Sequence, residues 1–274
     1  MQATNANPID FKQPAVMAIL NLTPDSFYAN SRVENVQFAI DKCGEFLDAG
    51  AQYIDLGAYS TRPGATPISE SEELNRLLPI LSELVKNFPT ALFSIDTFRA
   101  NVAEQSILTG AHIINDISAG ELDAELPKIV AKYQVPYIFM HMRGNPQNMQ
   151  DFCQYEDLIA DIYRYFELKI TYFKNLGISD LILDPGFGFA KNLDQNYQLL
   201  KNLEAYNSFE LPILVGFSRK SMLTKYLEIA SEKALNGTTI LNTYALLKGA
   251  SILRVHDPLE AKQCIQLIEK ITAS

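Results

Sequence analysis

Short apolar runs alternate along this chain with longer segments in which apolar residues recur every three or four positions. The runs are nearly continuous, as expected of strands that are buried on both faces of a parallel sheet. The longer segments are predicted to be amphipathic helices. The predicted strands cover residues 15–20, 53–56, 91–95, 112–114, 136–140, 181–183, 212–215 and 251–255.

A predicted helix follows every predicted strand. Ser69 with Glu72 three residues later has the spacing of a capping box at the start of the second helix. The predicted helices cover residues 33–49, 70–87, 99–109, 124–133, 155–176, 194–203, 219–229, 238–248 and 258–271. Strict alternation allows a closed barrel or an open doubly wound sheet. Eight units in about 260 residues favour a (β/α)8 TIM barrel. We predict a single domain over residues 1–274, with a polar N-terminal lead at residues 1–13.

Polar side chains recur where the predicted strands end. In a barrel these ends all lie on one face, which is the face that carries the active site. One polar strand end is usually structural, but several that converge on one mouth indicate a ligand. The residues concerned are Asn21, Asp55, Asp96, Asn115, Asp184, Arg254 and His256.

The stretch Leu-Ile-Leu-Asp-Pro-Gly-Phe-Gly-Phe-Ala-Lys-Asn at residues 181–192 combines several of these signals. Its apolar strand ends on Asp184, and the Pro-Gly pair that follows stops the strand. Phe187 and Phe189 then lie on a loop, where we expect no core for either ring to fill. The aspartate, the Pro-Gly turn and the two phenylalanine rings together predict a site for a flat, hydrogen-bonding ligand. The alternative is an aspartate that only caps the next turn.

Basic residues near other strand ends indicate that part of the ligand is anionic. Arg62 lies between Thr61 and Pro63, and its guanidinium could bind a phosphate in two places, although an isolated arginine is more often solvated. Arg254 lies inside an apolar strand, where an unpaired cation is implausible. His256 points to the same side of that strand.

The segment Gly-Phe-Ser-Arg-Lys-Ser at residues 216–221 resembles half of a phosphate loop. It lacks the glycine directly before the lysine that a nucleotide P-loop requires. The simpler prediction is a helix N-terminus at residues 218–221, whose free N–H groups attract a carboxylate or phosphate. Lys220 would add a charge or a hydrogen bond there.

Composition limits the other function classes. The net charge is 23 − 32 = −9, which argues against nucleic-acid and anionic-membrane binding but leaves room for a small anionic substrate. Cys43, Cys153 and Cys264 have no metal spacing and form no disulfide framework, as in a reduced cytoplasmic protein. There is no apolar run of about 18 residues and no N-terminal signal pattern. We therefore predict a cytoplasmic protein with no membrane partner.

Eight motifs, taken together and in order, resemble those of the dihydropteroate synthases, the folate-pathway family targeted by sulfonamides. The resemblance runs from about Val16 to the last helix. The motifs are residues 19–27 (Ile-Leu-Asn-Leu-Thr-Pro-Asp-Ser-Phe), 60–64 (Ser-Thr-Arg-Pro-Gly), 94–97 (Ser-Ile-Asp-Thr), 113–117 (Ile-Ile-Asn-Asp-Ile), 140–142 (Met-His-Met), 184–189 (Asp-Pro-Gly-Phe-Gly-Phe), 218–221 (Ser-Arg-Lys-Ser) and 254–256 (Arg-Val-His).

This resemblance implies an enzyme that joins 6-hydroxymethyl-7,8-dihydropterin diphosphate to 4-aminobenzoate. The products would be 7,8-dihydropteroate and diphosphate, Mg²⁺ would be required, and the enzyme would be a homodimer. Asp184 and Asn115 would hold the amide and amine edge of the pterin, Lys220 its carbonyl and ring nitrogen, and Met140 its face. Asp96 would bind the ring and stabilise positive charge as diphosphate departs.

The other matching residues would bind the diphosphate and the amine. Asn21 would contact Mg²⁺ and the diphosphate, which Arg254, His256 and Arg62 would grip. The residues implied to be catalytic are Asp96, Lys220, Arg254 and His256. The aminobenzoate pocket would be formed by Thr61, Pro63, Phe189 and Ser221. The loops at residues 23–31 and 59–68 are expected to close over the substrates.

The chain departs from the family pattern at three places. Residues 26–31 lack the glycines that are usual in the first loop, and Ala58-Tyr59 stands where Gly-Glu is common. Phe98 follows the Asp96-Thr97 pair where serine is commoner. None of these changes removes a residue assigned above, so they leave the reaction unchanged and put loop dynamics and drug response in question.

Two other functions remain open. A pterin-binding methyltransferase barrel that passes a methyl group to a corrinoid could share the acid and amide site. It would not need the basic and hydroxyl set that this chain carries at positions 62, 220, 221, 254 and 256. A non-catalytic paralogue that binds pterins or stabilises a partner enzyme is the second alternative.

Overall fold

The computed structural model describes residues 13–22, 32–60 and 66–273. The described residues form eight strands, all close to their predicted positions. They are β1 (Ala15–Asn21), β2 (Tyr53–Gly57), β3 (Leu92–Asp96), β4 (Ile113–Asp116), β5 (Tyr137–Met140), β6 (Leu181–Asp184), β7 (Leu214–Val215) and β8 (Ile252–Val255).

An α-helix lies after each strand in the same part of the chain. The helices are α1 (Arg32–Asp48), α2 (Glu70–Asn87), α3 (Ala100–Thr109), α4 (Leu126–Tyr133), α5 (Leu158–Asn175), α6 (Leu193–Lys201), α7 (Ser221–Thr224), α8 (Leu235–Leu247) and α9 (Pro258–Thr272). Short 3-10 helices cover Met149–Phe152, Leu203–Phe209 and Ser231–Lys233.

All the strand pairs are parallel, and the sheet closes on itself. The hydrogen-bonded order is β6-β5-β4-β3-β2-β1-β8-β7. A parallel bridge between Leu183 and Ile213 joins the two ends of this order, and the Leu183 N–H donates to the Pro212 carbonyl at 2.9 Å. The predicted TIM barrel is therefore confirmed, and the open doubly wound alternative is excluded.

The lower half of the barrel interior is filled by apolar side chains. Leu92 packs against this layer from β3. The layer consists of Ala15, Met17, Tyr53, Ile113, Ile138, Ile182, Leu214 and Ile252. Because it closes the barrel from below, the polar residues at the carboxyl ends of the strands are accessible only from the mouth.

The predicted bounds of α2 are confirmed, but its predicted capping box is confirmed only in part. Ser69 Oγ accepts a hydrogen bond from the Glu72 N–H at 3.1 Å, as in a capping box. The Glu72 carboxylate pairs with Arg76 instead of reaching back to the cap. The capping box is therefore only half formed, because an i,i+4 arginine competes for its carboxylate.

The helix predicted over residues 219–229 is wrong. Only one turn, α7, forms there, and the chain leaves the right-handed region on both sides of it, at Arg219 (φ 59°) and Glu228 (φ 54°). Lys220 is the residue before the first turn and has extended dihedrals. A helix of one turn has little aligned dipole, so the basis for an anion site at its N-terminus is lost.

Across the described ranges, none of the helices combines the length and the apolar character that a membrane span requires.

Candidate active site

The ends of β1 to β4 bring four positions side by side at the barrel mouth. Gly57 of β2 lies between Asn21 of β1 and Asp96 of β3 in the register. Asn115 of β4 lies beyond Asp96. A methyl group on Gly57 would lie 3.6 Å from Asp96 Oδ2 and 3.8 Å from Asn21 Oδ1. The two oxygens therefore face the same small space above β2, and the glycine keeps that space open.

Arg254 bridges two carboxylates across the barrel interior. Its Nε donates to Asp55 Oδ2 at 2.6 Å, and one terminal nitrogen donates to Asp96 Oδ2 at 2.7 Å. Asn115 Nδ2 donates to the same Asp55 oxygen at 3.1 Å. The prediction that an unpaired arginine is implausible inside this strand is confirmed. Both described partners of the Arg254 guanidinium are carboxylates. A bound anion would therefore have to accept from the remaining N–H groups of Arg254.

Three ionisable groups at the mouth have pKa values near neutrality or shifted towards it. Burial raises the pKa of Asp96 to about 7, and the nearby Arg254 charge offsets only part of this effect. Burial also raises the pKa of Asp184, against the opposing charge of Lys220. Burial lowers the pKa of Lys220 to about 8. The charge of the site therefore changes within the range in which most enzymes work.

Asp184 and Lys220 are connected through the loop that follows β6. Asp184 Oδ1 accepts a hydrogen bond from the Gly186 N–H at 2.8 Å, so the aspartate does cap the next turn. Lys220 Nζ donates to the Phe187 carbonyl at 2.6 Å. The same nitrogen lies 5.0 Å from the centre of the Phe189 ring, within the range of a cation–π contact.

The two phenylalanines of this loop differ in their surroundings. Phe187 is fully buried against Phe217, with ring centres 4.6 Å apart. The prediction that it has no core to fill is therefore wrong, because the loop turns its ring inward under the barrel rim. Phe189 is only partly buried and packs on an apolar cluster at the mouth. Of these two rings, only the Phe189 ring is therefore placed to contact a ligand.

The apolar cluster beside Phe189 is rich in methionine. It contains Ile117, Met140, Met142, Met149 and Ala190, with Phe98 and Phe189 packed against it. Methionine side chains are flexible and polarisable, and they contact aromatic rings favourably. Met140 at the end of β5 therefore lies in a wall suited to the face of a flat ring.

The remaining predicted residues fall in three groups. His256 Nδ1 lies 2.9 Å from Ser218 Oγ. Ser221 is exposed at the first position of α7. Thr61, Arg62 and Pro63, and the first loop at residues 23–31, lie outside the described residues, so their predicted roles stay predictions.

Comparison with known proteins identifies the relatives of this site. A family model described as pterin binding enzyme matches residues 17–256. The dihydropteroate synthase of Escherichia coli (strain K12) is 40% identical over 267 residues, which cover 95% of this chain and 93% of that enzyme. The Yersinia pestis dihydropteroate synthase in complex with a sulfonamide drug has a TM-score of 0.92 and 40% identity, over 100% of this chain and 99% of that chain. The Thermus thermophilus enzyme in complex with 4-aminobenzoate has a TM-score of 0.86 and 31% identity, over 96% of each chain.

The chain belongs to the dihydropteroate synthase family. Dihydropteroate synthases are transferases of folate synthesis that make 7,8-dihydropteroate, and this is the function of the chain. The relatives favour the synthase over the methyltransferase barrel considered above.

Sequence reasoning missed an ionic cluster beside the dihydropteroate synthase site. Glu73 on α2 is fully buried, accepts from Thr97 Oγ1 at 2.8 Å and pairs with Arg99 at 2.6 Å. Arg99 also donates to the Ile68 carbonyl at 2.8 Å. Its guanidinium carbon lies 5.2 Å from the centre of the Tyr59 ring. The spacing of Glu73 from Leu77 and Leu81 places it on the inner face of α2, a signal that the acidic residues around it obscured.

Four further residues at or after the strand ends were not assigned a role by the sequence. Asp55 was recognised as a polar strand end, and the structure makes it the partner of Arg254. Lys191 and His141 occur in the motifs without a predicted role, and in the structure both are buried and in contact with each other. Asp116, which the pattern placed next to Asn115, is bound by Tyr137 and its own loop. An alternation of polar and apolar positions cannot separate such structural acids from those that face a ligand.

Proposed function

We propose that the chain joins 6-hydroxymethyl-7,8-dihydropterin diphosphate to 4-aminobenzoate by means of the strand-end residues described above. The observation that carries this proposal is the juxtaposition at one barrel mouth of a buried acid and amide set with two basic residues. Asp96, Asn115 and Asp184 form the first set, and Lys220 and Arg254 the second.

The pterin would lie deepest, between the ends of β4, β5, β6 and β7. Asp184 and Asn115 would bind its amide and amine edge, and Lys220 its carbonyl and a ring nitrogen. Met140 would pack against its face. Support comes from the atoms that these two residues leave for a ligand. Asn115 and Asp184 are 4% and 8% exposed, and their described hydrogen bonds use Asn115 Nδ2 and Asp184 Oδ1, so Asn115 Oδ1 and Asp184 Oδ2 are the atoms that would bind the pterin edge.

The diphosphate would lie nearer the rim, on the side of β1 and β8. Arg254 has N–H groups beyond the two that bind Asp55 and Asp96, and His256 follows two residues later along the same strand end. Asn21 lies at the end of β1, within reach of the same space. Arg62 would join this set.

The second substrate would bind on the outer side of Phe189. Phe189 and the exposed Ser221 hydroxyl flank Lys220 in the chain segments after β6 and β7. Thr61 and Pro63 would complete this pocket for 4-aminobenzoate. The loops at residues 23–31 and 59–68 would close over both substrates and exclude water.

The residues present fit a weakly held Mg²⁺. In the described ranges, no three side chains of histidine, cysteine, aspartate or glutamate cluster closely enough to hold a metal alone. Mg²⁺ commonly takes one or two protein oxygens and completes its coordination with substrate phosphates and water. The Asn21 carbonyl oxygen would be the protein ligand. When bound, Mg²⁺ would neutralise charge on the departing diphosphate.

We propose a mechanism in which diphosphate leaves before the new bond forms. The electron-rich dihydropterin would spread the positive charge that develops on the exocyclic carbon. The Asp96 carboxylate would offset part of that charge, and Arg254 would hold both Asp96 and the departing diphosphate. The aromatic amine of 4-aminobenzoate would then attack the exocyclic carbon, and one N–H proton would pass to the released diphosphate or to water. Arg254 would thereby link departure of the anion to stabilisation of the cation.

We also propose that the protein is a cytoplasmic homodimer. On α8, Ile240, Tyr244 and Leu247 are 57%, 39% and 58% exposed, and their spacing places them on one face. Leu259 and Leu267 of α9, which packs beside α8, are 51% and 65% exposed. Exposed apolar residues on two adjacent helices favour an interface. Light scattering that returns the mass of one chain would exclude the dimer.

One assay tests the proposed reaction. Purified protein is incubated with dihydropterin diphosphate and Mg²⁺, with and without 4-aminobenzoate, and diphosphate and dihydropteroate are measured. We expect release stimulated by 4-aminobenzoate, with the two products in equal amounts. Tight pterin binding without product would instead identify the non-catalytic paralogue.

A further inference from the structure

Side chains, including that of Lys191 within the loop, supply most of the hydrogen bonds that hold the loop after β6. Residues 186–191 form neither helix nor strand, yet each of their six carbonyls accepts a hydrogen bond from a side chain. The donors, in order along the loop, are Lys191 at 3.0 Å, Lys220 at 2.6 Å, Gln150 at 3.4 Å, Lys191 again at 3.0 Å, Tyr155 at 2.9 Å and Asn196 at 3.2 Å. This many side-chain donors on one loop indicate that its conformation is specified.

Lys191 is the centre of this arrangement. Its side chain is only 2% exposed, and its Nζ binds both the Gly186 and the Phe189 carbonyls. The same atom lies 3.1 Å from Nδ1 of the buried His141 at the end of β5. Lys191 therefore ties the first and fourth residues of the loop to each other and to the neighbouring strand.

These three contacts survive a change in the charge of the lysine. The ammonium form donates to both carbonyls and to Nδ1 of a neutral histidine. The neutral amine donates to both carbonyls and accepts from an Nδ1–H tautomer. Burial lowers the pKa of Lys191 to about 7, and burial also holds the pKa of His141 well below its usual range. The connection therefore persists on both sides of neutrality.

The loop has no room to adopt another path on the side of β5. Gly186 has φ 75°, and a Cβ atom there would lie 2.1 Å from the His141 carbonyl oxygen. The Lys191 side chain therefore binds two carbonyls of the loop, and the His141 backbone blocks movement of the loop towards β5.

We propose that Lys191, with His141, is a positioning residue for 4-aminobenzoate: it holds residues 186–190 in the conformation that places the Phe189 ring beside Lys220. The loop carries both the ring and the Phe187 carbonyl that binds Lys220 Nζ. Without Lys191, both groups lose a common support. This inference rests on the proposed function, because it assigns Phe189 and Lys220 to the substrates.

The test compares Lys191→Met with a matched lysine elsewhere. Lys169 is also largely buried and donates to a loop carbonyl, that of Ala119, at 2.9 Å. We expect Lys191→Met to raise KM for 4-aminobenzoate by about tenfold or more, since small misplacements near the reacting groups have large effects. The Kd for dihydropterin diphosphate should rise by a smaller factor, up to about threefold, because Lys220 also binds the pterin and loses one fixed partner, the Phe187 carbonyl. Lys169→Met should leave both constants near their original values.

Hydrogen exchange of the amides in residues 186–191 provides a readout that does not depend on turnover. Lys191→Met should speed this exchange, and Lys169→Met should not. Tyr155→Phe removes a single donor, the one to the Ala190 carbonyl, and keeps the ring. It should raise KM for 4-aminobenzoate in the same direction by about two- to threefold, and it decides the question if Lys191→Met fails to fold.

Two results would overturn the proposal. One is an unchanged KM for 4-aminobenzoate together with unchanged exchange in Lys191→Met. The other is an equal loss of affinity for both substrates, which would reveal a general collapse of the site. If the original protein makes no dihydropteroate, the proposed function fails separately, and 4-aminobenzoate binding with loop exchange still tests the role of Lys191.

Discussion

The two sides of the barrel mouth hold their loops in different ways. On the β6 side, Lys191 binds backbone carbonyls, and Gly186 lies against the backbone of β5. On the β2–β3 side, Tyr59 and Phe98 meet edge to face at 5.1 Å, and the Arg99 guanidinium lies over both rings. The β6 side thus depends on contacts between the backbone and side-chain donors, of which Lys191 supplies two. The β2–β3 side depends on side chains meeting each other.

Two of the departures from the family pattern that the sequence analysis identified lie on the β2–β3 side. Tyr59 and Phe98 are both departures, lie far apart in sequence and contact each other in the structure. Side chains that only meet each other can change together, because one new partner accommodates the other. A glycine with positive φ against a carbonyl oxygen has no such freedom. We therefore expect substitutions on the β6 side to have the larger effects.

The largest effect should come from Gly186→Ala. The added methyl group would overlap the His141 carbonyl, and φ 75° is unfavourable for alanine. We expect a loss of at least about 3 kcal/mol in the free energy of unfolding, measured by denaturant titration. Gly177→Ala is the matched control: φ is 85° there, but no atom lies within 4 Å of the new methyl group. It should cost only about 1 kcal/mol, and equal losses for the two variants would contradict the role of close contact.

The next prediction concerns the dependence of kcat/KM on pH. Asp96 should account for the acidic limb of the profile and Lys220 for the alkaline limb. The proposed mechanism requires ionised Asp96 on β3 and protonated Lys220 after β7. Because burial raises the pKa of Asp96 to about 7, kcat/KM should fall as pH drops below that value. Because burial lowers the pKa of Lys220 to about 8, it should also fall above that value. Initial rates across the pH range should therefore give a bell-shaped profile.

Two variants test the alkaline and the acidic limb of the pH profile separately. Lys220→Arg should move only the alkaline limb upward, since arginine stays charged. Asp96→Asn should lower kcat by about a hundredfold. If Asp96→Asn kept its diphosphate affinity and full turnover, Asp96 would have no part in the mechanism.

A smaller effect is expected from the buried ionic cluster of the β2–β3 side. Glu73→Gln weakens the bonds to Thr97 and Arg99 while preserving the shape of the side chain. We expect a loss of about 1–3 kcal/mol in the free energy of unfolding, measured by thermal or denaturant unfolding. Glu72→Gln is the control, because its partner Arg76 lies on the solvent side of the same helix. It should change stability by less than about 0.5 kcal/mol.

The smallest effect concerns the two rings. A double-mutant cycle of Tyr59→Ala and Phe98→Ala should give a coupling energy of about 0.5–1.5 kcal/mol, measured from denaturant unfolding of the four proteins. Phe152→Ala, an exposed ring, serves with Tyr59→Ala as an uncoupled pair. Strictly additive losses for Tyr59 and Phe98 would remove the basis for treating the two departures as one change.

Most of the fold could be predicted because burial on both faces leaves a direct mark on the sequence. All eight strands were found as apolar runs, and their order along the chain implied the barrel. The error at residues 219–229 has a local cause, since Arg219 and Glu228 adopt left-handed dihedrals that no residue-type signal announces there. Half of the capping box at Ser69 was lost to Arg76, which competes from the next turn.

The site could be predicted only in part. The position of Asp96, Asn115 and Asp184 at strand ends followed from the pattern of apolar runs. Their partners did not, because Asp55 and Arg254 are 199 positions apart and meet only when the barrel closes. Glu73 lies on the inner face of α2 by its spacing, but it belongs to an acidic first turn with Glu70 and Glu72, and such residues are usually solvated. Phe187 and Phe189 are equivalent in sequence and differ only through the turn between them.

By itself, the sequence determined the number and order of the elements, the carboxyl-end location of the polar residues and the family motifs. These properties depend on local hydrophobicity and residue identity. Only the tertiary structure decided that Arg254 is shared between two acids, that Lys191 supports the loop of Phe189, and that Tyr59 meets Phe98. Each of these contacts joins strands or loops that are distant in the chain. Their energies depend on burial and on distances of a few ångströms, which are set when the barrel closes.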